Sequence, residues 1–285
     1  MAGHKVLIGD ARLFVEERGR GYPLLILHGG PGLDHHMFGD YLDPLGERMR
    51  LILVDQRSQG QSDPTPPETW SIEQMAADVG ALAEALGLDR FAVLGHSFGA
   101  LVALQHAVDF PGEAAQTIVS SGFPSSKYLA HVDEQLASFQ PEHLREQVSS
   151  SWEREKSART PDEVVELLHD QLPFHFADPL DPRLASYEQR SAGMIPSPDV
   201  LRHFANREYG GIEVEDRLGR VVQPVLVLTG ARDRVCPLAA AQSMAKGLSG
   251  SELTVFPHSG HMTFVEENDA YLDAVAGFLP RQGAS

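Results

Sequence analysis

Apolar residues fall along this chain in short blocks separated by turn formers. LFVEE (13–17), LLILH (24–28), LILVD (51–55), FAVLG (91–95) and TIVSS (117–121) punctuate the first 123 positions. The later blocks lack a clean alternation of apolar with polar, which is how strands covered on both faces read. Between the blocks lie helical spacings. The clearest is 71–87, where Ile72, Met75, Ala76, Val79, Leu82 and Leu86 share a face. Ser71 and Gln74 form a capping-box signature at its start, Trp70 and Met75 a hydrophobic staple, and Gly87 suits its end. Strand–helix alternation of this kind predicts right-handed crossovers and a mostly parallel sheet.

The pattern changes after Phe123. From about 124 to 210 no stretch reads as a buried strand, and short helical spacings carry their own start signals. Thr160-Pro161-Asp162-Glu163 is a capping box with proline at the first helical position, and Ser197-Pro198 offers another start. Strand-like blocks resume at PVLVLTG (224–230) and LTVF (253–256), with helical spacings near 237–248 and 269–279. The expected architecture is one α/β core, residues 1–123 and 215–285, interrupted by a helical cap at 124–214.

Composition narrows the partners. The 285 residues are 42% hydrophobic and 22% charged, and a chain this long buries roughly 75% of its unfolded surface. Twenty-three basic residues face 40 acidic ones, a formal charge of −17, with no dense basic stripe. Neither nucleic acid nor an anionic membrane is an expected partner. The single cysteine, Cys236, fits a reducing compartment. The first residues lack the apolar core of a secretory signal, and no run approaches ~20 apolar residues. A cytoplasmic protein acting on a small molecule is the expectation; the oligomeric state is not legible. Neighbours such as His35-His36 do not easily face one ion, so no metal is expected.

The chemistry is carried by three loops. Gly95-His96-Ser97-Phe98-Gly99 is G-x-S-x-G between an apolar strand and an Ala/Leu/Val-rich helix. A nucleophile on such a turn takes a strained backbone, and its neighbours must be small. Serine is a weak nucleophile at its free pKa, so a base and an orienting acid are required. Asp233 follows the strand VLVLTG, where catalytic groups gather in open α/β sheets. His258 and His261 follow the next strand. His261 is the preferred base, because Ser259-Gly260 before it forms a tight turn aiming a side chain at the sheet edge. His28-Gly29-Gly30-Pro31-Gly32 opens from a strand, and its amides suit a developing oxyanion. The N–H groups of Gly30 and Phe98 are the candidate pair. Asp55 reads as an anchor for Gln56 and Arg57.

With these pieces in place the chain resembles an α/β-hydrolase-fold serine hydrolase, and more narrowly the proline iminopeptidase branch with its esterase-like relatives. HGGPG (28–32) and DQRSQGQSD (55–63) carry the narrower likeness; GHSFG and the Asp233 and His261 loops carry the broader one. The resemblance implies an eight-stranded-type sheet with helices on both faces, a nucleophile after the fifth strand and a cap over the mouth. It implies no cofactor, and a small ester, amide or short peptide as substrate. Asn206-Arg207-Glu208-Tyr209 resembles the cap motif that binds a substrate amine, which makes Glu208 a candidate contact; Phe123 is another. Two departures stand against an aminopeptidase. Arg234 occupies a position that is acidic in some members and would repel an ammonium, and Phe98 replaces Trp or Tyr. Hydrolysis of an ester-like carbonyl is therefore expected ahead of N-terminal proline release. A non-catalytic binding protein on the same scaffold is the reading from another class.

Overall fold

The computed structural model describes residues 3–280. Eight strands form one sheet: β1 (His4–Leu7), β2 (Arg12–Gly19), β3 (Tyr22–Leu27), β4 (Met49–Val54), β5 (Ala92–His96), β6 (Gln116–Ser120), β7 (Val225–Gly230) and β8 (Ser251–Phe256). Their order is β1-β2-β4-β3-β5-β6-β7-β8. β1 and β2 run antiparallel at one edge, and all pairs from β4 onward are parallel.

Ten α-helices accompany the sheet among the described residues. α1 (Ile72–Ala85) and α2 (Phe98–Asp109) belong to the first half. α3 (Ala130–Ala137), α4 (Glu142–Arg154), α5 (Pro161–His175), α6 (Arg183–Arg190) and α7 (Pro198–Ala205) form a large helical insertion between β6 and β7. α8 (Leu238–Gly247), α9 (Thr263–Glu266) and α10 (Asn268–Phe278) complete the chain.

The central strands lack alternation because both faces are covered. Leu25, Leu27, Ile52, Val54, Val93 and Val119 point to a cluster shared with α1, α2 and α8. Leu24, Ile26, Leu51, Leu53, Leu94 and Ile118 point to the opposite cluster, with Phe38, Phe264, Tyr271 and Val275. β1 escapes the pattern analysis: four residues with only Val6 buried carry too little periodicity.

Start signals act as expected in α5, where both halves of the Thr160–Glu163 capping box are made. In α1 only half is made. The Ser71 hydroxyl accepts from Gln74 N, but the Gln74 amide turns to Asp78 Oδ1 at 3.1 Å. Asp78 is held there by a stronger partner. The Arg57 guanidinium, fully buried, bonds Asp78 at 2.6 and 2.8 Å and Asp10 at 3.0 and 3.1 Å. Burial works against its charge, and these carboxylates outweigh burial and raise its pKa. Asp55 therefore does not anchor Arg57. It accepts from His35 Nδ1 at 2.6 Å, from His35 N and from Gln61 N.

Two glycines bring α2 against the sheet. A Cβ on Gly95 would lie 2.0 Å from the Gly99 carbonyl oxygen, and one on Gly99 would lie 2.3 Å from the Leu27 oxygen. These are backbone atoms and cannot swing aside. Gly95→Ala should cost at least about 1–3 kcal/mol and lower Tm by several degrees. Gly277, in α10 with open space around it, is the contrast. Gly277→Ala should leave Tm unchanged or raise it, since alanine in a helix interior gains roughly 0.5–1 kcal/mol over glycine. Thermal melts of both variants check the pair.

Candidate active site

In a parallel sheet the strand ends lie along one edge. Leu27 of β3 pairs with Gly95 of β5, and Gly230 of β7 with Phe256 of β8. The loops after β3, β5, β7 and β8 therefore emerge together. Ser97 sits between β5 and α2 at φ 54°, ψ −118°, a left-handed strain held by its neighbours. Its amide continues the sheet by donating to Ser120 O at 2.9 Å, and its side chain opens to a cavity.

His261 Nε2 lies 2.9 Å from Ser97 Oγ, and its Nδ1 lies 2.9 Å from Asp233 Oδ2. Both the histidine and the aspartate are buried. A carboxylate only accepts, so Nδ1 carries the proton and the Nε2 lone pair faces the serine hydroxyl. Asp233 is itself fixed, because its Oδ1 accepts from Val235 N and Cys236 N at 2.8 and 2.9 Å. The exits of β7 and β8 are pinned by Ala231 N to Phe256 O and Arg232 N to Ser259 O. His258 stands exposed beyond this cluster, its amide bonded to Glu267.

The Gly30 and Phe98 residues both line the cavity beside Ser97. The loop carrying Gly30 is held from two sides. His28 Nε2 accepts from Gln56 N at 3.1 Å, so its Nδ1 donates to Gly29 O at 2.7 Å. Gly32 N donates to Gln59 Oε1, and Gly32 O accepts from Ser197 N of the insertion.

The cavity holds about 620 Å³, and its lining is mainly apolar, with Phe98, Phe123, Val132, Leu172, Met194 and Leu201 among the contributors. Phe123 is thus placed in it. Glu208 is not: it is exposed and absent from the lining. The left-handed turn at Glu208 and Tyr209, φ 50° and 51°, sends the tyrosine inward instead. Arg234 is also elsewhere. Its guanidinium binds the carbonyls of Phe174, Phe176 and Ala177 at 2.5–3.3 Å, around the C-terminus of α5, where a cation is favoured. It ties the insertion to the core rather than facing a substrate.

Sequence reasoning missed Glu155, Gln171, His175 and Tyr209, which also line the cavity. A signal existed: Val148, Trp152 and Glu155 recur at i, i+4 and i+7, which places a carboxylate on an apolar stripe. His175 Nδ1 bonds Gln171 O, and its ring lies 5.4 Å from that of His261. Burial, then the neighbouring His261 charge, pushes its pKa down to about 3. Burial pushes the His96 imidazole down and the Cys236 thiol up, which leaves both uncharged. Asp34, His35 and His36 come closer than adjacency suggested, with ligand atoms within 4.8 Å of one another. Their Nδ1 atoms are committed to Asp55 and Asp34.

A family model described as alpha/beta hydrolase fold matches residues 22–268. The AB hydrolase superfamily protein YisY of Bacillus subtilis is 28% identical over 281 residues, 93% of this chain and 94% of the relative. A proline iminopeptidase of Lactobacillus delbrueckii subsp. bulgaricus is 28% identical over 278 residues, 91% of this chain and 90% of the relative. Among solved structures, an alpha/beta fold family hydrolase from Bacillus anthracis superimposes with TM-score 0.82 at 22% identity, covering 98% of this chain and 99% of that one. A thermophilic esterase from Thermogutta terrifontis gives 0.73 at 24%, covering 98% of each. No helix among the described residues is long and apolar enough to cross a membrane.

Glu266 joins the His261 loop to the insertion. One carboxylate oxygen accepts from Gly260 N and the other from Ala177 N, both at 2.8 Å. Burial nevertheless outweighs these bonds and pushes its pKa up to about 7. A carboxyl raised above its unfolded value of about 4.3 holds its proton more tightly when folded. The stability so gained is full below that unfolded value and is lost as pH rises through about 7. The Tm of the native protein should therefore fall, relative to that of Glu266→Gln, as pH is raised from about 4.5 to 7.5. Melting curves of both proteins across that range check this; parallel pH dependences would refute it.

Proposed function

The chain belongs to the α/β-hydrolase fold family, and we propose that it is a serine hydrolase cleaving an ester or amide carbonyl, foremost a small carboxylic ester. The observation that carries this is the Ser97–His261–Asp233 relay, two contacts of 2.9 Å opening on an apolar cavity. Ser97 Oγ attacks the carbonyl carbon as its proton passes to His261 Nε2, while Asp233 holds the ring and stabilises the imidazolium. The Gly30 and Phe98 amides receive the developing oxyanion, each donor taking roughly 2.7–4 kcal/mol off the barrier. His261 then gives the proton to the departing alcohol or amine. Water repeats the sequence on the acyl-enzyme and frees the acid. The helical insertion, read as a cap over the mouth, encloses the acyl group.

Release of N-terminal proline is the second reading. It is favoured by the iminopeptidases among the relatives and by HGGPG at 28–32. The outward position of Glu208 speaks against it. Rates on p-nitrophenyl acetate and proline p-nitroanilide, measured side by side, separate the two, and the ester is expected to be the faster. Ser97→Ala should remove about 10⁴-fold or more of kcat and abolish fluorophosphonate labelling. Asp233→Asn should lose on the order of 10⁴-fold by presenting the wrong tautomer. Labelling that survives in Ser97→Ala would sink the assignment.

A further inference from the structure

One wall of the cavity differs from the rest. Along α5 and its neighbours, the side chains of Glu155, Gln171, His175 and Tyr209 form a polar strip in a mainly apolar lining. The Tyr209 hydroxyl donates to Glu155 Oε2, and Gln171 Nε2 donates to Glu155 Oε1 at 2.6 Å. One helical turn on, His175 Nδ1 is 3.1 Å from the Gln171 carbonyl. A carbonyl only accepts, so Nδ1 bears the proton and Nε2 is a bare acceptor. The Tyr209 hydroxyl and one N–H of Gln171 are taken up by Glu155; a second Gln171 N–H remains, and Trp152, stacked on His175, buries an Nε1–H without a partner among the described residues. Against these two neutral donors the strip offers more lone pairs: those of the Glu155 carboxylate, the Gln171 amide oxygen and His175 Nε2.

Charge points the same way. Glu155 is 5% exposed, and both its hydrogen-bond partners are neutral. A buried carboxylate without a cation is costly, which is why burial raises its pKa. Among the described residues no lysine or arginine lines the cavity, whereas Asp162, Glu166 and Glu188 do. Glu166 and Glu188 have partners in Arg154 and His169; Glu155 has no charged partner of this kind. The strip begins at His175 beside the His261 ring and passes back along α5 through Gln171 to Glu155.

We infer that this wall determines specificity: it selects substrates whose apolar body carries a hydrogen-bond donor remote from the scissile carbonyl, an ammonium above all, and turns away those carrying a carboxylate there. The inference rests on the serine-hydrolase reading of the same site. An ammonium would supply the counter-charge Glu155 lacks, a hydroxyl would satisfy one lone pair, and a carboxylate would meet a like charge that two neutral N–H donors do not offset.

The test is a set of p-nitrophenyl esters with four- to eight-carbon acyl chains ending in methyl, hydroxyl, ammonium or carboxylate. At the chain length that reaches the strip, the ammonium ester should exceed its methyl counterpart in kcat/KM by about tenfold or more, and the carboxylate ester should fall below it by as much. In Glu155→Gln the ammonium-to-methyl ratio should collapse toward one. Should that variant not fold, competitive inhibition of the native protein by hexylamine against hexanoate reads the same preference, with the amine expected to bind more tightly. Hydrolysis of all four esters at similar rates, or preference for the carboxylate, overturns the inference while leaving the hydrolase reading intact. Failure to hydrolyse any ester, the methyl series included, overturns that reading and this one with it.

Discussion

The close approach of α2 to the sheet edge is the constraint on which the site depends. Gly95 and Gly99 let the strand exit and the helix start touch backbone to backbone, and Gly99 rests on the carbonyl of Leu27. With that contact made, Ser97 has no relaxed conformation available and is left at positive φ with its side chain outward. The same contact sets the N-terminus of α2 beside the loop that follows β3, so the Phe98 amide and Gly30 flank one cavity. A second approach of the same kind operates further along the edge. A Cβ on Gly230 would lie 2.0 Å from Gly260 O. That packing brings the Asp233 loop against the His261 loop. The relay is thus built from two places where backbones meet without side chains between them.

Much of this was legible because the signals were local. Runs such as LLIL and VLVL are buried on both faces and read as central strands from composition alone. A serine between glycines two positions away on either side is a turn requirement written in residue types, and the order Ser, Asp, His follows from strand succession. The residues that were misread depend on rotations the pattern does not encode. Glu208 lies in a four-residue run of positive φ, 208–211, where side-chain direction departs from any regular period. Arg234 follows Asp233 directly, and nothing local shows that it turns to three carbonyls some sixty positions away in sequence. Asp55 was placed at a strand end with its sequence neighbours, yet His35 reaches it first. Glu155 looked like one acid among 40 in a chain of this composition. Only the packing of α4 on α5 shows that it is enclosed.

The insertion also helps hold the geometry of the proposed site. His261 N donates to His175 O at 2.7 Å, and Gly260 fits beneath that same segment, where a Cβ would meet His175 O at 2.6 Å and Ala177 N at 2.7 Å. Arg234 and Glu266 bind the segment from the core side. At the other flank, Ser197 N bonds Gly32 O and Ile195 N bonds Asp34 Oδ2, so the loop carrying Gly30 is held by the insertion too.

These ties restrict how a substrate reaches Ser97. Lifting residues 174–177 would release the amide of His261 and leave the buried carbonyls that Arg234 satisfies without a partner, each such loss costing roughly 1–3 kcal/mol. Lifting 195–201 would free the loop beside the proposed oxyanion. Neither end can swing without disordering the groups that the proposed chemistry uses. The side held least lies between α5 and α6, tied by the exposed His169–Glu188 pair, where Asp162, Val165, Glu166 and His169 are exposed and yet border the cavity. On the proposed reading, entry along that side keeps the relay assembled and carries a substrate past carboxylates before it meets Glu155. Access and selection then work in one direction, because the face that can open bears the same sign of charge as the surface behind it.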